Sequence, residues 1–108
     1  MKTVIITGDP WITDADMLMK NLEYLFGNGS LPPEFEVITQ NAPGVEATIN
    51  PVLEEAGLKV TVVDELPEVD IVVVFLDNSD ERAHAIMMAQ WGSRKPVFPF
   101  HVSKKGAQ

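Results

Sequence analysis

The stretch Asp70 to Leu76 (D-I-V-V-V-F-L) limits the fold more tightly than any other part of the chain. After Asp70 it is apolar on both of its alternating faces, with β-branched residues at 71–74. A strand at the centre of a parallel sheet, covered on both sides, has that character. Its apolar run, Ile71 to Leu76, is far short of the ~20 residues that a membrane-spanning helix needs. Parallel strands require crossover connections, and these are right-handed in nearly all cases. One buried strand of this kind therefore implies helices on both faces of a sheet.

The rest of the sequence supplies that architecture. Lys2 to Thr7 reads as a buried strand, ended by Gly8-Asp9-Pro10. Thr13 or Asp14 caps a helix running to about Phe26. Its apolar positions Met17, Leu18, Leu22, Leu25 and Phe26 recur every three or four residues. Glu34 to Thr39 and Lys59 to Val63 are further strands, Ser79 to Trp91 is a helix, and Pro96 to Phe100 is a final edge strand. Asn50-Pro51 has the form of a helix cap followed by proline at the first helical position. It predicts a helix from Pro51 to Ala56, because a helix from Gly44 would put Pro51 in its interior at a cost of ~3 kcal/mol and be broken or kinked there. The expected fold is a three-layer α/β domain, with a five-stranded, mainly parallel sheet and helices on both faces. At 108 residues this is one domain, spanning residues 1–103, with a short basic tail at 104–108.

Charge narrows the function. The net charge of −8 opposes nucleic-acid binding by the whole surface. Residues 1–81 hold all 16 acids against Lys2, Lys20 and Lys59, a net −13. Residues 82–108 hold Arg82, Arg94, Lys95, Lys104 and Lys105 and no acid, a net +5. Such a split marks a partner surface or self-association, unless the charges only solvate a helix end and a frayed tail. Cysteine is absent, which removes disulfides, thiolate metal sites and a cysteine nucleophile. No secretory signal pattern is visible, so the expected location is the cytoplasm. There is no G-x-x-x-x-G-K-[ST], H-E-x-x-H or G-x-S-x-G motif.

In an open parallel sheet, ligands sit beyond the carboxyl ends of the strands where the strand order reverses. Three segments converge there: Thr7 to Trp11, Gln40 to Glu46, and Leu76 to Ser79. The first, within Ile5 to Asp14 (I-I-T-G-D-P-W-I-T-D), resembles the opening T-G-x-R-x-W-x-D of the YspA-like family. That family belongs to the SLOG superfamily of Rossmann-like nucleotide-binding domains, relatives of the DprA and lysine-decarboxylase-like folds. Gly8, Trp11 and Asp14 match in spacing, and Pro10 stands where the family often has arginine. Gln40 to Glu46, followed by Ala56-Gly57-Leu58-Lys59-Val60, is similar to the family's second glycine segment and the strand after it. Asp70 to Phe75 and Lys95-Pro96-Val97 resemble its fourth and closing strands.

The departures concern anion binding. Gln40 and Asn41 replace paired glycines, and Pro43 replaces an arginine. The family's P-G-G-x-G-T turn is Leu76-Asp77-Asn78-Ser79-Asp80-Glu81 here, with no glycine. Glycine lets backbone N–H groups approach a phosphate, and arginine supplies the counter-charge. Asn78 and Glu81 read as a capping box, and Asp77, Asp80 and Glu81 oppose a phosphate at that helix start. The resemblance then implies a non-catalytic domain binding a nucleotide-derived or, better, an uncharged nucleoside-like molecule. Its ligand-binding residues would be Gly8, Asp9, Trp11, Asn41, Gly44, Glu46, Asp77 and Asn78, with no cofactor and no metal. The alternative is an accessory, protein-interaction scaffold, phage-encoded or otherwise, whose nucleotide site has decayed.

Several side chains carry two readings. Trp11 stacks on a base or packs on the first helix. Asp9, Asp14 and Asp16 coordinate a cation or, more simply, cap turns and the helix start. Asn41, Glu46 and Asp77 face one another as an acid–base or ribose-binding set, or are polar loop residues. Met87, Met88 and Trp91 mark a homodimer or partner surface on the third helix, or pack in the core. His84 and His101 have no orienting partner evident nearby in the sequence and read as surface or interface histidines.

Overall fold

The computed structural model describes residues 1–76 and 81–102. The elements run β1 (Lys2–Gly8), α1 (Ala15–Gly27), β2 (Phe35–Thr39), α2 (Val45–Glu55), β3 (Lys59–Val62), β4 (Ile71–Leu76), α3 (Glu81–Gly92) and β5 (Val97–His101). The five strands form one sheet in the order β3-β2-β1-β4-β5, and every pairing is parallel. This is the three-layer, Rossmann-like α/β architecture expected from the sequence.

Alternation along the strands divides the core in two. Val4, Ile6, Val37, Val73 and Phe75 point to the layer of α1 and α2, where Leu18, Leu22, Val45, Ile49 and Leu53 meet them. Ile5, Ile38, Val72, Val74 and Leu76 point the other way, toward Ala83 and Met87 of α3. The chain moves from β1 to β3 with helices on one face. It moves from β4 to β5 with a helix on the opposite face, as a constant crossover hand requires. β4 is buried at every position, matching its doubly apolar sequence.

The β3–β4 connection is unusual. Only eight residues, 63–70, join strands that lie three positions apart in the sheet. They must cross about 14 Å sideways and return along the strand, which takes nearly all the reach of an extended segment that long. A helix does not fit that span, so a strap crosses the sheet, with Val63, Leu66 and Val69 packed on the α3 side. Between strap and helix lies a cavity of about 310 Å³, bordered by Ile5, Leu66, Val69, Val72, Ile86 and Gln90. Where strap and sheet meet again, the Thr3 N–H donates to the Asp70 carboxylate at 2.8 Å. That bond, with the Thr3 hydroxyl, holds the Asp70 pKa below its ordinary value.

One expected boundary is corrected. α2 does not begin at Pro51: it starts at Val45 and carries Pro51 in its interior, so Asn50 is not its cap. Val45, Ile49 and Leu53, four residues apart, form a stripe buried against the sheet, and this burial offsets the hydrogen bond that proline removes. The carbonyl left without that donor is on Ala47, which is exposed to water. The expected start of α3 at Ser79 and the 104–108 tail lie outside the described residues.

Candidate functional site

The carboxyl ends of β1 and β2 form a crest closed by one buried carboxylate. Gly44, at φ 92°, turns the chain into α2, which places Glu46 in the first turn of that helix, above the sheet. Glu46 is only 2% exposed. Its Oε2 accepts from the Thr7 hydroxyl and from Arg82 Nη1, both at 2.7 Å. Its Oε1 accepts from the Thr39 hydroxyl at 2.7 Å and from the Gln40 N–H at 2.9 Å. Burial alone would raise the Glu46 pKa. The hydrogen bonds from Thr7, Arg82 and Thr39, with the Arg82 charge, outweigh it and hold the group below its ordinary value.

Arg82 comes from the opposite layer. It sits in the first turn of α3 and reaches across the crest, with its side chain 34% exposed. Its Nη1 also lies 3.3 Å from the Thr7 hydroxyl, and its Nη2 donates to Gln40 Oε1 at 2.6 Å. Gln40 Nε2 in turn donates to the Asp64 carbonyl at 2.7 Å, tying in the strap. Thus one ion pair links both helical layers, two strand ends and the crossover.

The two glycines of this region serve close packing. A Cβ on Gly8 would strike the Phe75 carbonyl oxygen and come within 2.6 Å of the Val45 side chain. A Cβ on Gly44 would strike the Asp9 carbonyl oxygen and lie 2.6 Å from Pro10 Cα. Both contacts are far below ordinary van der Waals distance, so glycine is required there to seat the β1 turn against α2.

Of the remaining sequence candidates, Asn41 adjoins the crest, its N–H donating to the Thr39 hydroxyl at 2.9 Å. Asp9 is fully buried, and its Oδ2 accepts from Trp11 Nε1 at 3.2 Å. Trp11 is half-buried against the α1–α2 core. Asp14 caps α1 through its bond from the Met17 N–H. Asn41 is exposed and left-handed, at φ 57°. Asn50, which the sequence offered only as a cap, lies beside it and is 3% exposed. Its Nδ2 donates to the Thr39 hydroxyl at 2.9 Å, while its Oδ1 has no partner among the described residues. Asp77 and Asn78 lie outside the described residues. On α3, Met87 turns into the core, whereas Met88 and Trp91 are about half exposed. The sequence grouped all three, and the structure separates the first from the other two. His84 and His101 are exposed.

Sequence reasoning misses Arg82 and Thr39. Arg82 falls within the basic C-terminal segment, and the sequence shows no counter-charge for the crest. Among the described residues, no group of three or more acidic or histidine side chains is placed to hold a metal ion. No described helix is long and apolar enough to cross a membrane. In comparisons with known proteins, the chain matches no family model, no curated protein and no solved structure.

Proposed function

We propose that the chain is a non-catalytic α/β module that acts by holding a protein partner, with its crest serving as a keystone of the fold. The observation that carries this reading is that both Glu46 oxygens are taken up by the protein's own donors, with Arg82 laid over them. A phosphorylated ligand would have to draw Arg82 away and leave a carboxylate buried without its counter-charge. Breaking a fully buried pair in that way costs about 3–5 kcal/mol, and somewhat less where water reaches the arginine. The depressed Glu46 pKa also suits it poorly to general acid–base work near neutrality. On this view the resemblance to SLOG domains is that of a nucleotide site that has closed. The exposed Met88 and Trp91 offer the apolar surface that partner binding needs.

A second reading draws on Asn50. Its buried Oδ1, without a partner among the described residues, stands next to exposed Asn41. An uncharged donor such as a nucleoside amide or hydroxyl would satisfy it. Calorimetric titration with nucleosides and with their phosphorylated forms decides between the two. The keystone reading expects no binding tighter than millimolar with either set. Nucleoside binding that disappears in Asn41→Ala would establish the second reading, and nucleotide binding would overturn the first.

A further inference from the structure

The three helices end in the same backbone turn, and one of them ends it with the wrong residue. After α1, Ser30 N–H donates to the Leu25 carbonyl and Gly29 N–H to that of Phe26. After α2, Leu58 donates to Leu53 and Gly57 to Glu54; after α3, Lys95 donates to Gln90 and Arg94 to Trp91. Each pair of bonds is a Schellman motif, whose penultimate donor sits in the left-handed region and is usually glycine. Gly29 (φ 81°) and Gly57 (φ 95°) follow that rule, but the third position is Arg94, at φ 59°. A residue with a Cβ is strained there. Strain of this kind, kept where glycine would relieve it, points to a use for the side chain.

The surroundings say what use. Arg94 is exposed, as are Trp91 (49%) and Met88 (48%) on the preceding turns of α3. Met88 and Trp91 are three residues apart and share one flank of the helix, away from the strap. No acidic residue occurs in the sequence from Arg82 onward. Glu68 is the acid that a described ion pair brings to this end, and it is engaged by Lys95 at 3.6 Å. A second copy docked face to face would set Arg94 near its own counterpart, which like-charge repulsion disfavours.

We infer that Met88, Trp91 and Arg94 form a docking face for an acidic segment of a partner protein. This deepens, and rests on, the partner-binding reading above. An apolar side chain of the partner packs on Trp91 and the adaptable Met88, while its carboxylates take the Arg94 fork.

The test is a peptide array of acidic, neutral and basic sequences, each with aromatic or aliphatic anchors, probed with the full chain and its variants. Wild type is expected to select acidic, anchor-bearing peptides with salt-sensitive affinity. Arg94→Gly is expected to weaken them by about 10-fold or more while raising Tm by roughly 4–8 °C, since it relieves the turn. Trp91→Ala is expected to weaken them similarly, without that gain in Tm. Acidic peptides bound equally well by R94G, or selection of neutral or basic peptides, would overturn the docking face. If peptides bind but ignore both variants, the docking face falls and the partner-binding role stands. If no peptide is bound by any form, both fall.

Discussion

Arg82 belongs to α3, yet its guanidinium ends above β1 and β2, against a carboxylate from the opposite layer. Its partners Glu46, Gln40 and Thr7 are 36 to 75 residues away in sequence. No local pattern ties them together, which is why the crest pair was not legible in the sequence, although Glu46 and the nearby Gly8 and Gly44 were. Removing the guanidinium should expose the burial cost of Glu46. Arg82→Ala is expected to destabilise the protein by about 1–3 kcal/mol at neutral pH, the penalty being tempered by the arginine's access to water. The pH dependence has a definite sign. In the wild type, Glu46 titrates below its ordinary value of 4.5. It therefore contributes stability that is present above that value and is lost as pH falls through the lower, folded-state pKa. In Arg82→Ala the arginine's hydrogen bond and charge are lost, so the folded pKa rises relative to the wild type and protonation relieves the variant at higher pH. Urea melts at pH 7 and about pH 4 should show the gap between the two proteins narrowing toward acid. A gap that stays constant would mean the guanidinium does not stabilise the carboxylate.

At the scale of elements, α2 shows two sequence signals in conflict. Asn50-Pro51 has the local form of a helix start, but Val45, Ile49 and Leu53 continue an apolar stripe through it, and the stripe wins. Burial of three aliphatic side chains, at ~1.5–3 kcal/mol each, exceeds the ~3 kcal/mol cost of an interior proline. Asn50 gains a buried bond to Thr39 instead of a cap. Pro51→Ala should stabilise the protein by about 1–3 kcal/mol, because the Ala47 carbonyl recovers its helical donor. A rise in the denaturant midpoint at unchanged m-value would confirm it, and a fall would mean that the proline geometry is needed for the packing of α2. The other elements were legible because their signals do not compete. β4 and β1 are short apolar runs, and α1 combines a regular apolar period with the Asp14 cap. The strap could be read as a loop from Pro67 and its acids. Its crossing of three strand positions could not, because that depends on strand order, which periodicity does not encode.

For the molecule as a whole, charge separates by position in the chain, and this governs how stability responds to salt. The net charge is −8 and the isoelectric point is near 4.5. Two of the described ion pairs, Lys59 with Glu36 at 3.8 Å and Lys95 with Glu68 at 3.6 Å, each keep at least one partner well exposed. Pairs of that kind contribute about 0–1 kcal/mol and are readily screened. The Glu46–Arg82 pair is short and partly desolvated, so salt reaches it less. What remains is repulsion among the acids of the first 81 residues, which acts over longer distances and favours expansion. Raising salt from ~0.01 M to ~1 M shortens the Debye length from ~30 Å to ~3 Å and removes most of that repulsion. Tm at neutral pH should therefore rise with salt, and the rise should flatten as pH approaches the isoelectric point. Arg82→Ala should show a similar salt slope from a lower baseline, because the pair it loses is only weakly screened. A wild-type Tm that falls with salt would mean that attractive surface pairs outweigh the like-charge field, and that folding interleaves the acids and bases which the sequence keeps apart.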